Sequence, residues 1–347
     1  MTSSVTEPDR PLTGHKTNIV LSGRNNTDII NSCKEKVLSG NSLTPDEAML
    51  LAESGDKSRL FAAACKIRRH FCGDEYELCS IINARSGRCA EDCKWCAQSA
   101  FHSTDIDEYE LVEKNLAIKT AWNNEKLGIH KFSLVTSGKK ATKNVLNDLC
   151  DMYREIKEKT GIELCASMGL LDKEELLMLK GAGVKNYHCN LETSRAIFGK
   201  LCSTHTYDDK INTIELAKEA GLTVCSGCII GMGESMRDRI NIAFELKNLG
   251  VNSVPVNVLH PVKGTPLEHI SSPADEEILT TFAVFRFILP AAQIRLAGGR
   301  CRISHIMPEI IRAGVNAAIT GNLLTTTGAG IIDDIRLFEN EGFRRKI

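Results

Sequence analysis

The sequence has no surplus of charge, no long hydrophobic run and no apolar stretch at its start, and each absence removes a class of function. Its 43 Lys and Arg are offset by 44 Asp and Glu, for a formal net charge of −1. No global field therefore draws the chain to nucleic acid or to an acidic membrane surface. No apolar run approaches the roughly 20 residues that span a bilayer. The opening MTSSVTEPDRPLTGHK lacks an apolar core, so no secretory leader is expected and a cytoplasmic protein is. With 42% hydrophobic and 25% charged residues over 347 positions, the composition is that of a soluble globular chain. The length suits one large domain or two ordinary ones.

Cysteine is abundant, with 14 in the chain. In an enzyme-sized chain without a leader, these read as thiols kept reduced rather than as a disulfide framework. Each is then either a small buried hydrophobe or a ligand for a soft metal.

Residues 1–25 are polar and read as a disordered tail. Residues 26–75 read as helices, with Thr44 a cap ahead of a first-turn Pro45. From 76 to 347 short apolar runs alternate with longer amphipathic ones. The expected strands are 78–83, 131–136, 162–168, 186–191, 222–230, 253–259, 293–298 and 316–320. Eight strands alternating with helices predict an α/β fold, a (β/α)8 TIM-type barrel with an N-terminal helical extension. An open doubly wound sheet is the alternative, since periodicity does not show closure.

Directly after the first expected strand, SGRCAEDCKWCAQSA places Cys89, Cys93 and Cys96 on one loop. Three close thiolates bind three corners of a cubane and leave a fourth iron without a protein ligand. A structural zinc site needs four ligands, and no second CxxC or His pair follows nearby. This spacing, with the aromatic Trp95 before the last cysteine, resembles the radical S-adenosylmethionine (SAM) superfamily. The resemblance implies a [4Fe–4S] cluster on Cys89, Cys93 and Cys96. SAM chelates its open iron, and one electron yields methionine and a 5′-deoxyadenosyl radical.

Further stretches, NLETS, VCSGCIIGMGES, VPVNVLHPVKGTPL, RLAGGR and GNLLTTT, resemble the biotin synthase family over roughly residues 60–345. That family inserts sulfur into dethiobiotin to form biotin. The resemblance implies cofactor contacts from Trp95, Asn190, Glu192, Lys210, Gly231, Gly233 and Glu234. Glu192 stands where the family usually has aspartate, and Lys210 where it has arginine. Substrate contacts are implied for Asn190, Asn257, Thr325 and Thr326. The alternative for Asn257 and the threonines is ordinary strand and turn chemistry.

The resemblance also implies an auxiliary cluster inside the barrel, usually [2Fe–2S] on three cysteines and an arginine. Cys165, Cys225 and Arg295 fill three of those places, but Ser133 stands where the fourth ligand is cysteine, and a hydroxyl is a poor iron ligand. Cys79, Cys189 and Cys228 add thiols on or near the strands, and Cys301 follows RLAGGR. Cys228 has the wrong parity to join Cys225 on a regular strand. Convergence of Cys79, Cys165, Cys189 and Cys225 would make a four-iron variant cluster. Cys33, Cys65, Cys72, Cys150 and Cys202 read as core thiols. The family further implies a flavodoxin or ferredoxin electron donor and a homodimer. Rival readings are a radical enzyme of the methylornithine synthase or hydrogenase maturase kind, and a non-catalytic metal-binding or redox-sensing module.

Overall fold

Three helices precede the first strand: α1 (Asn26–Leu38), α2 (Pro45–Glu53) and α3 (Lys57–Cys72). They are seen in a computed structural model that describes residues 26–322, 324 and 330–346. The expected cap at Thr44 is present as a capping box. Its hydroxyl accepts from the Glu47 amide at 3.2 Å, and the Glu47 carboxylate accepts from the Thr44 amide at 2.7 Å. On α3, Leu60, Ala63, Ala64 and Ile67 repeat at helical spacing and are buried. This helix packs along a later one, α10 (Asp275–Ile288), so the extension adds a layer to the barrel wall.

The strands are β1 (Glu75–Arg85), β2 (Lys131–Thr136), β3 (Glu163–Ser167), β4 (Asn186–His188), β5 (Thr223–Cys225), β6 (Cys228–Ile230), β7 (Ser253–Val258), β8 (Gln293–Leu296) and β9 (Ala317–Thr320). Every pairing is parallel, and β9 returns to β1 through Glu77↔Ala317 and Cys79↔Ile319. That seam closes the barrel and excludes the open sheet. A short β10 (Arg344–Arg345) extends the outer end of β1. Between the strands run α4 (Lys114–Lys126), α5 (Lys143–Lys159), α6 (Lys173–Gly181), α7 (Arg195–Leu201), α8 (Tyr207–Glu219), α9 (Met236–Asn248), α11 (Met307–Arg312) and α12 (Ile331–Asn340), besides α10.

Two expected strands differ from the observed ones. The run 186–191 stops at His188, which pairs in register with Cys225. The run 222–230 is broken at Ser226–Gly227 into β5 and β6. The break has a local cause. The Gly227 amide turns aside to donate to Asn190 Oδ1 at 2.8 Å, and a Cβ on Gly227 would meet the Pro255 carbonyl at 1.8 Å. Only glycine permits that approach.

Inward residues alternate along each strand and form layers. Near the strand starts lies a charged layer. Glu77 meets Arg295 and, at 3.3 Å, Lys131, which also holds Glu163 at 3.0 Å. One step toward the strand ends lie Cys79, Ser133, Cys165, His188 and Cys225. Above them the barrel opens into a cavity of about 430 Å3, on the side where the loops leave the strands. Active sites of this architecture sit on that side.

Candidate active site

The loop after β1 is held in a tight curl. The Cys89 amide donates to the Gln98 carbonyl at 2.9 Å, the Ala100 amide to Cys89 at 2.7 Å, and the Cys96 amide to Cys93 at 3.0 Å. The curl brings the Cys89, Cys93 and Cys96 thiols to the cavity mouth. Burial raises the Cys89 and Cys96 thiols, opposed by backbone amides: Glu91 and Gly138 at Cys89, Gln98 and Ser99 at Cys96. Three thiols on one loop at the cavity mouth fit the donor set that a cubane cluster would need.

Lys210 reaches this mouth from α8. Burial pulls the ammonium down, but Glu192, 3.8 Å away, and the nearby thiols raise it overall. Glu192 has a φ of 69°, left-handed and rare for a side chain of its size. Its carboxylate accepts from Asn190 Nδ2 at 3.3 Å. Strain concentrated beside a buried lysine marks a built polar site. Trp95 packs against a separate apolar cluster of Leu201, Met232 and Leu259, a flat surface of the kind a purine ring covers.

Glu234 spends its carboxylate within the protein. Its oxygens accept from the Gly231 amide at 2.8 Å, the Met232 amide at 2.7 Å and Arg239 Nε at 2.7 Å. It braces the turn, and it faces a small pocket behind β6 rather than the main cavity. Gly231 and Gly233 have φ of 94° and 95°, and a Cβ on Gly231 would meet Pro273 at 2.8 Å. The glycines thus shape the turn. Asn257 lines the cavity but spends one N–H on the Cys228 carbonyl at 3.0 Å, while its oxygen accepts from the Gly298 amide at 2.7 Å. One N–H and one lone pair remain for a ligand. Thr325 and Thr326 lie outside the described residues.

Deeper in the barrel, Cys79, Cys165 and Cys225 converge with Arg295. Cys79 is lowered, first by its contact with Cys165 and then, against burial, by Arg295; Cys165 is raised by the same contact and by burial. Burial pushes the Cys225 thiol up, but His188, Arg295 and the Ser253 hydroxyl outweigh it. Ser253 Oγ donates to Cys225 at 3.2 Å and accepts from Arg295 Nε at 2.9 Å. Arg295 Nη1 is buried without a partner among the described residues. An orphaned guanidinium donor beside three thiols fits an absent anionic group. Ser133 pairs directly with Cys165 and puts a hydroxyl next to this set.

Cys189 and Cys228 do not join it. Cys189 lies past the end of β4, and its charged neighbours are Lys210 and Glu192 at the mouth. Cys228 follows the break at Gly227 and points out of the barrel toward Glu234 and Arg239. Cys301 is exposed at the rim, 3.6 Å from His260 Nδ1. The residue that does face Cys225 is His188, which the sequence reading passed over. The signal lay in the strand register: His188 pairs with Cys225 and shares its inward face, whereas Cys189, past the strand end, lines the cavity nearer the mouth. Cys202 was also passed over as a core thiol, although it reaches Cys93.

Comparison with known proteins agrees with this geometry. Residues 84–258, half of the chain, match the Radical SAM superfamily. Residues 255–344 match the Biotin and Thiamin Synthesis associated domain. The chain is 50% identical over 316 residues to a biotin synthase of Clostridium botulinum (strain Alaska E43), covering 91% of this chain and 99% of that one. It is 47% identical over 317 residues to a biotin synthase of Porphyromonas gingivalis, covering 91% and 96%. Among solved structures, a methylornithine synthase superposes with a TM-score of 0.78 at 22% identity, over 91% of this chain and 97% of that one. The FeFe-hydrogenase maturase of Carboxydothermus hydrogenoformans gives 0.78 at 17%, over 93% and 80%. Those two share the fold, whereas identity at this level over nine-tenths of the sequence separates the rivals: the chain belongs to the biotin synthase family.

Proposed function

We propose that the protein inserts sulfur into dethiobiotin to make biotin. The observation that carries this reading is the pair of thiol groups opening on one cavity, the loop triplet at its mouth and Cys79, Cys165 and Cys225 at its base. When bound, the [4Fe–4S] cluster and SAM supply the radical that removes hydrogen from unactivated carbon. The residues of the chain do the positioning. Cys89, Cys93 and Cys96 hold the cluster, Lys210 meets the cofactor carboxylate, and Asn190 with Glu192 meets its ribose. Lysine keeps the charge but gives up the bidentate fork of arginine, so Glu192 and Asn190 carry more of the orientation. Asn257 offers its free N–H and lone pair to the ureido ring, and Thr325 and Thr326 receive the substrate carboxylate. The apolar walls exclude water and competing hydrogen donors.

At the base, Cys79, Cys165, Cys225 and His188 form the ligand set of an auxiliary iron–sulfur cluster with Arg295 as its cationic neighbour. Four donors from four strands suit a four-iron cluster better than the usual [2Fe–2S] form, because Ser133 removes a thiol while Cys79 and His188 supply replacements. The same reading places the protein in the reducing cytoplasm as a homodimer that takes electrons from a flavodoxin or ferredoxin. All 14 cysteines are free, and no described helix is long and apolar enough to cross a membrane.

Anaerobic incubation with dethiobiotin, SAM and a reductant, followed by mass spectrometry, tests the reaction. Biotin formation is expected. 5′-Deoxyadenosine without biotin would keep the radical chemistry and discard the substrate. Iron and sulfide analysis with Mössbauer spectroscopy tests the inner cluster. Cys79→Ala, Cys165→Ala and Cys225→Ala combined should reduce iron to the content of the loop cluster alone, and an unchanged auxiliary signal would refute the ligand set.

A further inference from the structure

Cys202 sits at the end of α7 with its Sγ 3.6 Å from Cys93 Sγ. It lies 3.3 Å from Nδ1 and 3.9 Å from Nε2 of His205. One donor atom from each of Cys93, Cys202 and His205 lies within 4.8 Å of the others. A tetrahedral ion with metal–sulfur bonds of about 2.3 Å and metal–nitrogen bonds of about 2.0 Å holds its donors roughly 3.5–3.8 Å apart. The sulfur–sulfur spacing of 3.6 Å is that of a coordination sphere, and the Nε2–sulfur spacing of 3.9 Å needs only a small closure to reach it. A thiol serving only as a core hydrophobe has no need of two further donors at this range.

The surroundings are also those of a metal site. His205 Nδ1 is hydrogen-bonded to the Glu91 carboxylate, which leaves Nε2 for an ion. A carboxylate behind a ligating histidine is the usual means of fixing its ring and tautomer. The turn itself is stitched to the loop after β1. Asp92 accepts from the Ser203 amide at 2.8 Å and the Thr204 amide at 3.2 Å, and Thr204 Oγ1 donates to Glu91 at 2.8 Å. Cys202 and His205 are buried, so they are held ready before any ion arrives.

We propose that, before the loop cluster is assembled, Cys93, Cys202 and His205 hold a single thiophilic divalent cation, ferrous iron, with water in the fourth position. Binding replaces the thiol protons of Cys93 and Cys202, which are released, and the metal keeps its oxidation state. Cys93 belongs both to this site and to the loop cluster, so the two are mutually exclusive. The site is a loading position from which Cys93 passes to the finished cubane. This inference uses the place of Cys93 in the loop cluster and is independent of which substrate receives sulfur.

Cobalt(II) is the probe. Full-length chain is stripped of iron under anaerobic conditions, with Cys165→Ala and Cys225→Ala removing the thiols at the base, and is then titrated. One equivalent should bind with the visible bands of tetrahedral cobalt, and X-ray absorption should show two sulfur neighbours with nitrogen and oxygen. Cys202→Ser and His205→Ala should each weaken binding by at least ~10-fold, and Glu91→Gln by ~10-fold through the histidine it supports. Cys202→Ser should also lose half of the thiolate-to-cobalt charge-transfer intensity. A shell of three sulfurs, or affinity unchanged in Cys202→Ser, would assign the ion to Cys89, Cys93 and Cys96 and overturn the proposal. Absence of binding would do the same. The absorption measurement on the parent chain decides the matter even where a variant fails to fold, and biotin formation plays no part in it.

Discussion

At the scale of single residues, the barrel base depends on Glu77. It is the carboxylate that meets Arg295, and it also faces Lys131. Burial alone would raise its pKa, but the two cations hold it down to about 2. Glu77→Gln removes the negative partner of the buried Arg295, a change of the kind that costs about 3–5 kcal/mol, while Lys131 keeps Glu163. The expected result is a clear fall in the urea midpoint of the cluster-free chain near neutral pH. The pH dependence has a definite sign. A carboxyl whose folded pKa is depressed stabilises fully above its unfolded value, about 4.3, and that stability is lost as pH falls toward the folded value. Wild type and Glu77→Gln should therefore differ by a constant amount above about pH 5. The difference should shrink between there and pH 2, and a gap independent of pH would show that Glu77 is not the charged partner of Arg295.

At the scale of elements, the break between β5 and β6 carries the comparable argument. The Gly227 Cα lies so close to β7 that a Cβ would sit 1.8 Å from the Pro255 carbonyl. Gly227→Ala should push β7 outward and disturb Asn190, whose oxygen takes the Gly227 amide, and Asn257, which is on β7. Overpacking typically costs about 1–3 kcal/mol, and backbone contact this close lies at the upper end. The expected readouts are a lower thermal midpoint and a raised KM for SAM, with Gly227→Ser failing in the same way. Much of this architecture was legible in sequence. The Thr44–Pro45 helix start, the eight barrel strands and Cys79 as an inward residue follow from caps and alternation. Alternation fails where backbone leaves the strand, and it leaves at His188 and at Gly227. For that reason Cys189 was expected among the inner thiols and His188 was not, whereas Cys228 stays on the outer face that its parity indicated. Contacts between separate loops, such as Cys93 with Cys202, carry no periodic signal, so only the fold reveals them.

At the scale of the whole molecule, the N-terminal layer packs on α9 and α10, and one buried cation adds a polar tie between that layer and the barrel. Arg286, on α10, is completely buried and has no acidic partner among the described residues. Its Nε donates to the Gly314 carbonyl at 2.8 Å, Nη1 to Ala292 at 2.8 Å and Pro290 at 3.0 Å, and Nη2 to Asn316 Oδ1 at 2.8 Å. Nη1 also reaches Cys72 Sγ, at the end of α3, at 3.3 Å. One side chain thus ties the extension to the strand that Asn316 precedes and to the turn before β8. Gly314, with φ of 112°, has no Cβ because one would meet Arg286 Cβ at 2.9 Å. Burial pulls the guanidinium down to about 10, which still leaves it charged at neutral pH. Arg286→Met fills the space but strands several buried carbonyls, each worth roughly 1–3 kcal/mol when unsatisfied. Arg286→Lys keeps the charge without the planar fork. Urea unfolding should rank wild type above the lysine variant and that above the methionine variant. In all three, the far-ultraviolet signal and the fluorescence of Trp95 and Trp122 should move together, because α3 packs along α10 and α2 against α9 whichever residue stands at 286. An early phase in helix loss, ahead of the barrel probe in wild type, would show instead that α1–α3 form an independent unit.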